Sequence, residues 1–173
     1  GLTGNTTSKS IVCGNLSYDD SVFTSRNDIH FGAYVRTDGT SPGYVGGVQD
    51  GSTQVAFLLK YTDNNTYFRM GNLASFISTN ETSVLGFCIG NRISDTDSRL
   101  YRNGVEVTSY SPGATALPSV SIVWHAISIS GVVGSWTARA SGGYTIGLSL
   151  TTTQITNYNL LMQWFQKTLG RNV

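Results

Sequence analysis

Residues 29–36 read Ile-His-Phe-Gly-Ala-Tyr-Val-Arg, and this alternation decides the fold. Every second residue is apolar, so a β-strand would place these side chains on one face: Ile29, Phe31, Ala33 and Val35. The opposite face would carry His30, Tyr34 and Arg36. We predict a half-buried strand whose second face, including His30, lies at the surface.

Further short alternating runs follow, separated by turn-forming residues. They predict strands at 43–48, 54–60, 66–70, 84–90, 99–102, 105–107, 120–129 and 144–148. Asn103-Gly104 lies between two of these runs and predicts a tight hairpin, because both central residues of a type I′ turn need positive φ. Since the strands do not alternate with helices, the pattern predicts an all-β antiparallel sandwich.

The last segment changes period. Residues 151–154 read Thr-Thr-Thr-Gln, the pattern of a helical capping box. Apolar residues then recur at spacings of three and four, as on one face of a helix: Ile155, Tyr158, Met162, Phe165 and Leu169. We predict an α-helix at about 152–169 that packs this stripe, with Trp164 beside it, on its own domain. Pairing between copies of the chain is the alternative.

Composition limits the classes of partner. The chain has 173 residues, of which 39% are hydrophobic, and we predict one domain over 1–173. Its 11 basic and 10 acidic residues are scattered, so no basic stripe predicts nucleic-acid binding. No apolar stretch approaches the ~20 residues that span a bilayer, so membrane insertion is not predicted.

The two cysteines leave two alternatives open. Cys13 and Cys88 would pair if their strands lie side by side. Free cysteine is also among the most buried residue types, and we favour that interpretation.

Several strings, taken in order, resemble one known family. They are residues 1–9 (Gly-Leu-Thr-Gly-Asn-Thr-Thr-Ser-Lys), 31–37 (Phe-Gly-Ala-Tyr-Val-Arg-Thr), 100–105 (Leu-Tyr-Arg-Asn-Gly-Val), 150–154 (Leu-Thr-Thr-Thr-Gln) and 169–173 (Leu-Gly-Arg-Asn-Val). Together they resemble the laminin-G-like (concanavalin A-like lectin/glucanase) domains of bacteriophage fibre, head-fibre and tail proteins and of some bacterial surface proteins. The resemblance implies an antiparallel jelly-roll β-sandwich.

The resemblance also implies a function and a location. Such domains are expected to bind a host surface glycan or polysaccharide, or other virion proteins, and to form homotrimers through segments outside the domain. The expected location is the virion, with a bacterial cell surface or secretion as the alternative. The alternative function is a purely structural assembly or decoration domain with a protein interface.

Catalysis is not predicted. Related glucanases carry Glu-x-Asp-x-Glu on one strand, which brings two carboxyl groups about 5 Å apart. This chain has only two glutamates, Glu81 and Glu106, and neither has a second acid two residues away. Residues 39–43 read Gly-Thr-Ser-Pro-Gly, but this string does not lead from a strand into a helix, as the Gly-x-Ser-x-Gly elbow of hydrolases does, and no base can be placed beside its serine. We therefore predict a non-enzymatic module without a cofactor, apart from one candidate calcium site.

That candidate is Asp95-Thr96-Asp97, a close acidic pair in a predicted loop. Calcium takes six to eight oxygen ligands, and laminin-G-like sandwiches often carry it near such a rim. A solvated turn in which each aspartate caps its own backbone is the favoured alternative. The candidate ligand-binding residues are Trp136, whose ring could stack on a sugar or plug the sandwich edge, with His125 and Arg92.

Overall fold

The structure is a computed structural model that describes residues 9–15, 27–74, 76–113 and 116–173, and the backbone of residues 2–3. Of residues 13–15 it describes the backbone only. Helix α1 is Thr152–Thr168, and the strands are β1 (Leu2–Thr3), β2 (Ile11–Asn15), β3 (Ile29–Val35), β4 (Gly46–Asp50), β5 (Thr53–Leu58), β6 (Asn65–Asn72), β7 (Ile77–Asn80), β8 (Gly86–Arg92), β9 (Ser98–Arg102), β10 (Val105–Tyr110), β11 (Ser121–Trp124), β12 (Ile127–Ile129), β13 (Val132–Gly134) and β14 (Ala140–Gly147).

The strands form two sheets. The first sheet has the order β1-β14-β3-β8-β9-β10, and the second has the order β13-β12-β4-β5-β6-β7. Strand β11 pairs with β4 and with β2, which adds β11 and β2 to the second sheet. Every strand pairing within the described ranges is antiparallel, except the parallel pairing of β12 with β4. The predicted antiparallel sandwich is confirmed.

Aromatic rings fill the space between the two sheets. Phe31 of the first sheet stacks on Phe57 and on Trp124 of the second, with ring centroids 5.2 and 4.3 Å apart. Phe57 stacks in turn on Phe68 at 5.0 Å. A Cβ on Gly90 would lie 2.0 Å from the Phe68 ring, so glycine is required at this position. The tight packing of these rings fixes the distance between the sheets.

Strand β3 is buried on both faces, so the prediction of a half-exposed strand is wrong. Its predicted apolar face does lie in the core. The other face is covered by helix α1, and the two elements contribute to a second buried cluster: Tyr34, Phe87, Ile89, Tyr101 and Ile155. His30 is only 6% exposed, and its ring nitrogens are bonded to Leu148 O and Thr145 Oγ1 at 2.5 and 2.7 Å.

Helix α1 begins as predicted and ends one residue earlier. The Thr151 hydroxyl accepts a hydrogen bond from Gln154 N, and the Gln154 side chain accepts one from Thr151 N, which confirms the capping box. Gly170 follows the helix with φ 64°, as a helix stop requires. No helix in the described ranges is long and apolar enough to cross a membrane.

The first part of the predicted stripe packs on the domain, and its last part does not. Ile155 is fully buried, and Tyr158 and Met162 pack against the same cluster, but Phe165 and Leu169 are 44% and 47% exposed. Trp164, which we expected to pack, is 64% exposed. The helix instead buries Asn159 and Gln166, and Gln166 Nε2 donates to Gly142 O in β14 at 2.9 Å. The side of the helix that faces the sheet therefore combines apolar packing with a polar contact to a strand backbone.

The predicted strand at 120–129 is two strands. The chain turns at His125, whose φ is 63°. Strand β11 runs antiparallel to the beginning of β4, and β12 runs parallel to its end. The predicted hairpin between β9 and β10 is confirmed, with φ of 52° at Asn103 and 81° at Gly104.

Cys88 is a free, fully buried thiol in β8. Burial raises its pKa to about 11. The Cys13 side chain lies outside the described residues. The structure thus favours the buried-thiol interpretation of Cys88 over a disulfide.

Candidate ligand-binding site

The outer face of the second sheet carries aromatic side chains at its β6–β7 edge. In β6, residues 66, 68 and 70 are buried, whereas the alternating residues Tyr67 and Arg69 are partly exposed on the outer face. Tyr61 lies before β6, and Phe76 lies directly before β7. We call Tyr61, Tyr67, Arg69 and Phe76 the aromatic platform.

The rings of the aromatic platform contact one another at their edges. The ring centroids of Tyr61 and Tyr67 are 6.2 Å apart, with an interplanar angle of 81°. Those of Tyr67 and Phe76 are 5.7 Å apart. Arg69 Cζ lies 4.9 Å from the centre of the Phe76 ring, in cation–π geometry. Phe76 is 44% exposed, so one ring of the group is open to solvent.

Hydrogen bonds hold the platform side chains in place. Tyr67 Oη donates to Asp63 Oδ2 at 2.6 Å, and Arg69 Nη1 donates to Gln54 Oε1 at 2.6 Å. Gln54 Nε2 donates in turn to Gln49 Oε1 at 3.0 Å. The Tyr67 hydrogen bond is the main factor that lowers the pKa of the Asp63 carboxyl group, and it raises the pKa of Tyr67. These contacts preorganise the surface.

The aromatic platform combines flat apolar faces with the guanidinium group of Arg69, and it lies beside the Asp63 carboxylate. Small-molecule sites typically combine aromatic side chains with a few placed polar groups in this way. Sequence reasoning missed this surface. The alternation in β6 places Tyr67 and Arg69 on one face, but the pairing of Tyr67 with Ser78, which brings Phe76 alongside, was visible only in the structure.

Two of the predicted ligand-binding residues, Trp136 and His125, lie together. Trp136 forms an isolated parallel bridge with Tyr44, and Thr137 N donates to His125 O at 2.9 Å. Trp136 is partly exposed. This exposure agrees neither with a ring fully open for stacking on a sugar nor with a ring that fully plugs the edge of the sandwich. A Cβ on Gly43 would lie 1.9 Å from Trp136 O, so the two backbones approach as closely as glycine allows.

His125 is buried, with 2% of its surface exposed. Its Nε2 is bonded to the hydroxyl of Tyr144, and burial lowers its pKa. His125 Nδ1 and Trp136 Nε1 are both buried without a hydrogen-bond partner. Because His125 lies beneath the surface, a ligand on this edge would contact the partly exposed rings of Trp136 and Tyr144 first.

Arg92, the third predicted ligand-binding residue, is 1% exposed. Its guanidinium donates to Met70 O at 2.6 Å, to Gly113 O at 2.8 Å and to Asn27 Oδ1 at 2.9 Å. It also forms an ion pair with Asp95 at 2.8 Å. These contacts connect β8 with β6 and with three loops of the domain, so the structure places Arg92 in the scaffold and away from the solvent-facing surface.

Asp95 and Asp97, the predicted calcium ligands, bind different arginines. Asp95 pairs with Arg92, and both oxygens of Asp97 accept from Arg99 at 2.8 Å. The Arg99 hydrogen bonds lower the pKa of Asp97. The part of the chain that the structure describes has no group of three or more potential metal ligands. The two carboxylates are therefore neutralised separately and do not converge on one cation position.

Both glutamates also contact arginines. Glu81 lies 2.6 Å from Arg102 Nη2 and is 8% exposed, whereas Glu106 lies 3.1 Å from Arg99 on the surface. Each carboxylate is therefore paired with an arginine, whereas a glycoside hydrolase places two carboxyl groups across its substrate.

Residues of β11 line two clefts among the described residues. The larger, of about 340 Å³, contains the hydroxyl groups of Ser119, Ser121 and Ser128. The smaller, of about 230 Å³, is lined mainly by apolar groups that include Trp124 and Tyr144. The described residues that line these clefts include no charged side chain.

These features define the fold as an antiparallel jelly-roll β-sandwich with a C-terminal helix. No protein-family model matches the chain, and no curated protein matches it. Solved structures match its fold, at sequence identities that show the fold alone.

One similar structure is the NanB sialidase from Streptococcus pneumoniae in complex with 2-[(3-chlorobenzyl)ammonio]ethanesulfonate, with a TM-score of 0.60 and 13% identity over 91% of this chain. Another is botulinum neurotoxin type C, whose cell entry depends on interaction with two ganglioside molecules (TM-score 0.58, 13% identity, 93% of this chain). A third is the binding domain of botulinum neurotoxin DC in complex with rat synaptotagmin II (TM-score 0.56, 12% identity, 93% of this chain). The chain spans 27% of the sialidase chain and 42% of each neurotoxin chain.

Proposed function

We propose that this domain is a non-enzymatic module that binds host surface glycans and is displayed on a virion, as part of a phage fibre or a capsid-decorating protein. The observation that carries the binding proposal is the aromatic platform. Sugar rings present flat C–H faces that pack on aromatic rings, and hydroxyl groups that hydrogen-bond to polar groups such as phenol hydroxyls and guanidinium. The platform offers both kinds of contact on one preorganised surface.

The similar folds support glycan binding in general. Botulinum neurotoxin type C interacts with gangliosides, and NanB is a sialidase. At 13% identity, neither comparison transfers a site residue to this chain. The position of the site is therefore argued from the contacts of the platform alone.

The virion location rests on the resemblance of the opening and closing strings to phage fibre domains. It is tested by the sequence that flanks this domain in the full-length protein. A collagen-like or coiled-coil stalk next to the domain is the expected result. A flanking hydrolase domain would contradict the fibre role and would favour a cell-surface or secreted protein.

The binding proposal is tested with a glycan array that includes host polysaccharides, followed by titration of the strongest hit. We expect Phe76→Ala to weaken binding about tenfold, which corresponds to ~1.4 kcal/mol, because it removes the most exposed ring of the platform. The matched control is Ile129→Ala. Both residues are 44% exposed apolar side chains next to or within strands of the second sheet, but Ile129 lies in β12, away from the platform. The glycan affinity of the Ile129→Ala variant should equal that of the wild type.

Two results would contradict the proposal in different ways. If no glycan binds the wild-type domain or raises its Tm, glycan recognition is wrong. If Trp136→Ala abolishes binding and Phe76→Ala does not change it, the domain binds glycans at the Trp136 edge, and the platform assignment is wrong.

A second candidate function is a purely structural virion assembly or decoration domain with a protein interface. The observation that favours it is the exposed apolar surface of α1, where Leu160, Leu161 and Trp164 are 61%, 56% and 64% exposed. Contiguous apolar surface of this kind marks protein contacts in soluble domains. A silent glycan array together with self-association through α1 would support this second function.

A further inference from the structure

We propose that the outer face of helix α1 is a self-association surface, on which a second copy of this chain packs with its own α1 antiparallel about a two-fold axis. The inference rests on the exposed side chains of α1 and is independent of the glycan proposal. We define the α1 stripe as Leu160, Leu161, Trp164, Phe165 and Leu169, whose exposed fractions are 61%, 56%, 64%, 44% and 47%.

Helix geometry makes the α1 stripe one continuous surface. Successive residues are rotated by about 100°, so the spacings of one, three and four within the stripe keep its side chains on one half of the helix. The opposite half is occupied, because Ile155, Asn159 and Gln166 are buried against the first sheet. The capping box and the sheet contacts hold the helix in place, so the stripe is presented on a rigid element.

The area of the stripe fits a two-fold interface. Its five side chains expose roughly 450 Å² of apolar surface, which is at the upper end for the largest patch of a typical monomer. Two copies would remove roughly 900 Å² of apolar surface from water. Polar side chains beside the stripe, such as Asn157 and Thr168, would bring the total close to the ~1,200 Å² of a small specific interface.

Charge favours a second copy over other occupants. Lys167 is the only charged side chain within α1, so the stripe has no charge pattern that would select a charged partner. A membrane-surface helix needs a strongly basic polar face towards water, whereas the second face of α1 is buried in protein. Copies of this nearly neutral surface can approach without repulsion.

Antiparallel packing pairs apolar side chains of the stripe with one another. With the two-fold axis between residues 164 and 165, Trp164 of one copy lies against Phe165 of the other, and Leu160 lies against Leu169. The two-fold antiparallel arrangement is therefore self-complementary, as closed symmetric dimers require.

The test is sedimentation velocity combined with light scattering, over protein concentrations from about 1 to 300 µM, a range that covers micromolar dimers. We expect the mass to rise from the 18.6 kDa of one chain towards twice that value. Trp164→Glu should remain monomeric over the whole range, because it places a charge at the centre of the stripe. The matched control is Val132→Glu at another highly exposed position (73%), which should dimerise like the wild type.

Thermal unfolding shows whether the Trp164→Glu variant is folded, so that loss of dimerisation can be distinguished from loss of the fold. Trp164 is exposed in the monomer, so Trp164→Glu should keep the wild-type Tm at the lowest concentration. A wild type that stays monomeric at the highest concentration would overturn the proposal, as would dimerisation of a folded Trp164→Glu variant. A mass of three chains that requires Trp164 would overturn the two-fold arrangement. None of these results changes the expectation for glycan binding by the monomer, so the two proposals fail separately.

Discussion

Replacement of Arg92 by methionine tests whether this guanidinium stabilises the fold or contacts a ligand. The side chain is 1% exposed, and it donates to two backbone carbonyls, of Met70 and Gly113, as well as to Asp95. Methionine fills a similar elongated space but donates no hydrogen bond. The variant therefore removes the donors while keeping most of the packing.

The expected loss of stability follows from these contacts. A buried acceptor that loses its donor costs ~1–3 kcal/mol, and two carbonyls are affected. The ion pair adds less, because Asp95 is 34% exposed and water can solvate its carboxylate. We expect Arg92→Met to lower the free energy of unfolding by about 3–5 kcal/mol. For a domain of this size, Tm should fall by roughly 10 °C.

Urea unfolding followed by tryptophan fluorescence and circular dichroism measures this loss. Arg99→Met is the matched control, because Arg99 also pairs with carboxylates, of Asp97 and Glu106, but is 35% exposed. It should cost less than ~1 kcal/mol, as is typical of surface ion pairs. If Arg92→Met unfolds like the wild type and loses only ligand binding, then the sequence-based assignment of Arg92 to a binding site is right and the scaffold role is wrong.

Two further predictions concern pH and packing. Burial lowers the pKa values of His30 and His125 in the folded chain. The unfolded chain therefore binds more protons than the folded chain once the pH falls below the ordinary histidine pKa of ~6.5. The free energy of unfolding, measured by urea titration, should decrease from pH 7 to pH 5, and it should decrease less steeply in the His125→Gln variant than in the wild type. Equal slopes in the variant and the wild type would exclude a contribution from His125. Gly90→Ala should cost ~1–3 kcal/mol, because its Cβ would lie 2.0 Å from the Phe68 ring. Gly134→Ala, which meets nothing within 4 Å, should be nearly neutral, and a Gly90→Ala variant as stable as this control would refute the packing argument.

The secondary structure was largely predictable because its signals are local. The alternation of residues 29–35 defined β3 and its core face, and Asn103-Gly104 fixed the hairpin between β9 and β10. The Thr151 capping box fixed the start of α1. In each case the residues that determine the conformation lie within a few positions of one another.

The candidate site was less predictable, because it depends on strand pairing. Tyr67 and Arg69 share a face by alternation, but Phe76 joins them only through the register of β6 and β7. The burial of Arg92 likewise depends on segments that are distant in the chain, because its acceptors include Met70 O in β6 and Gly113 O.

By itself, the sequence determined which side chains share a face of a strand or helix, and hence the antiparallel sandwich and its terminal helix. Only the tertiary structure decided what covers each face. Helix α1 buries His30 and Tyr34 on the outer face of β3, while it leaves Trp164 in solvent. The physical reason is that periodicity arises from backbone geometry within one element, whereas burial depends on contacts between elements more than a hundred residues apart in the chain.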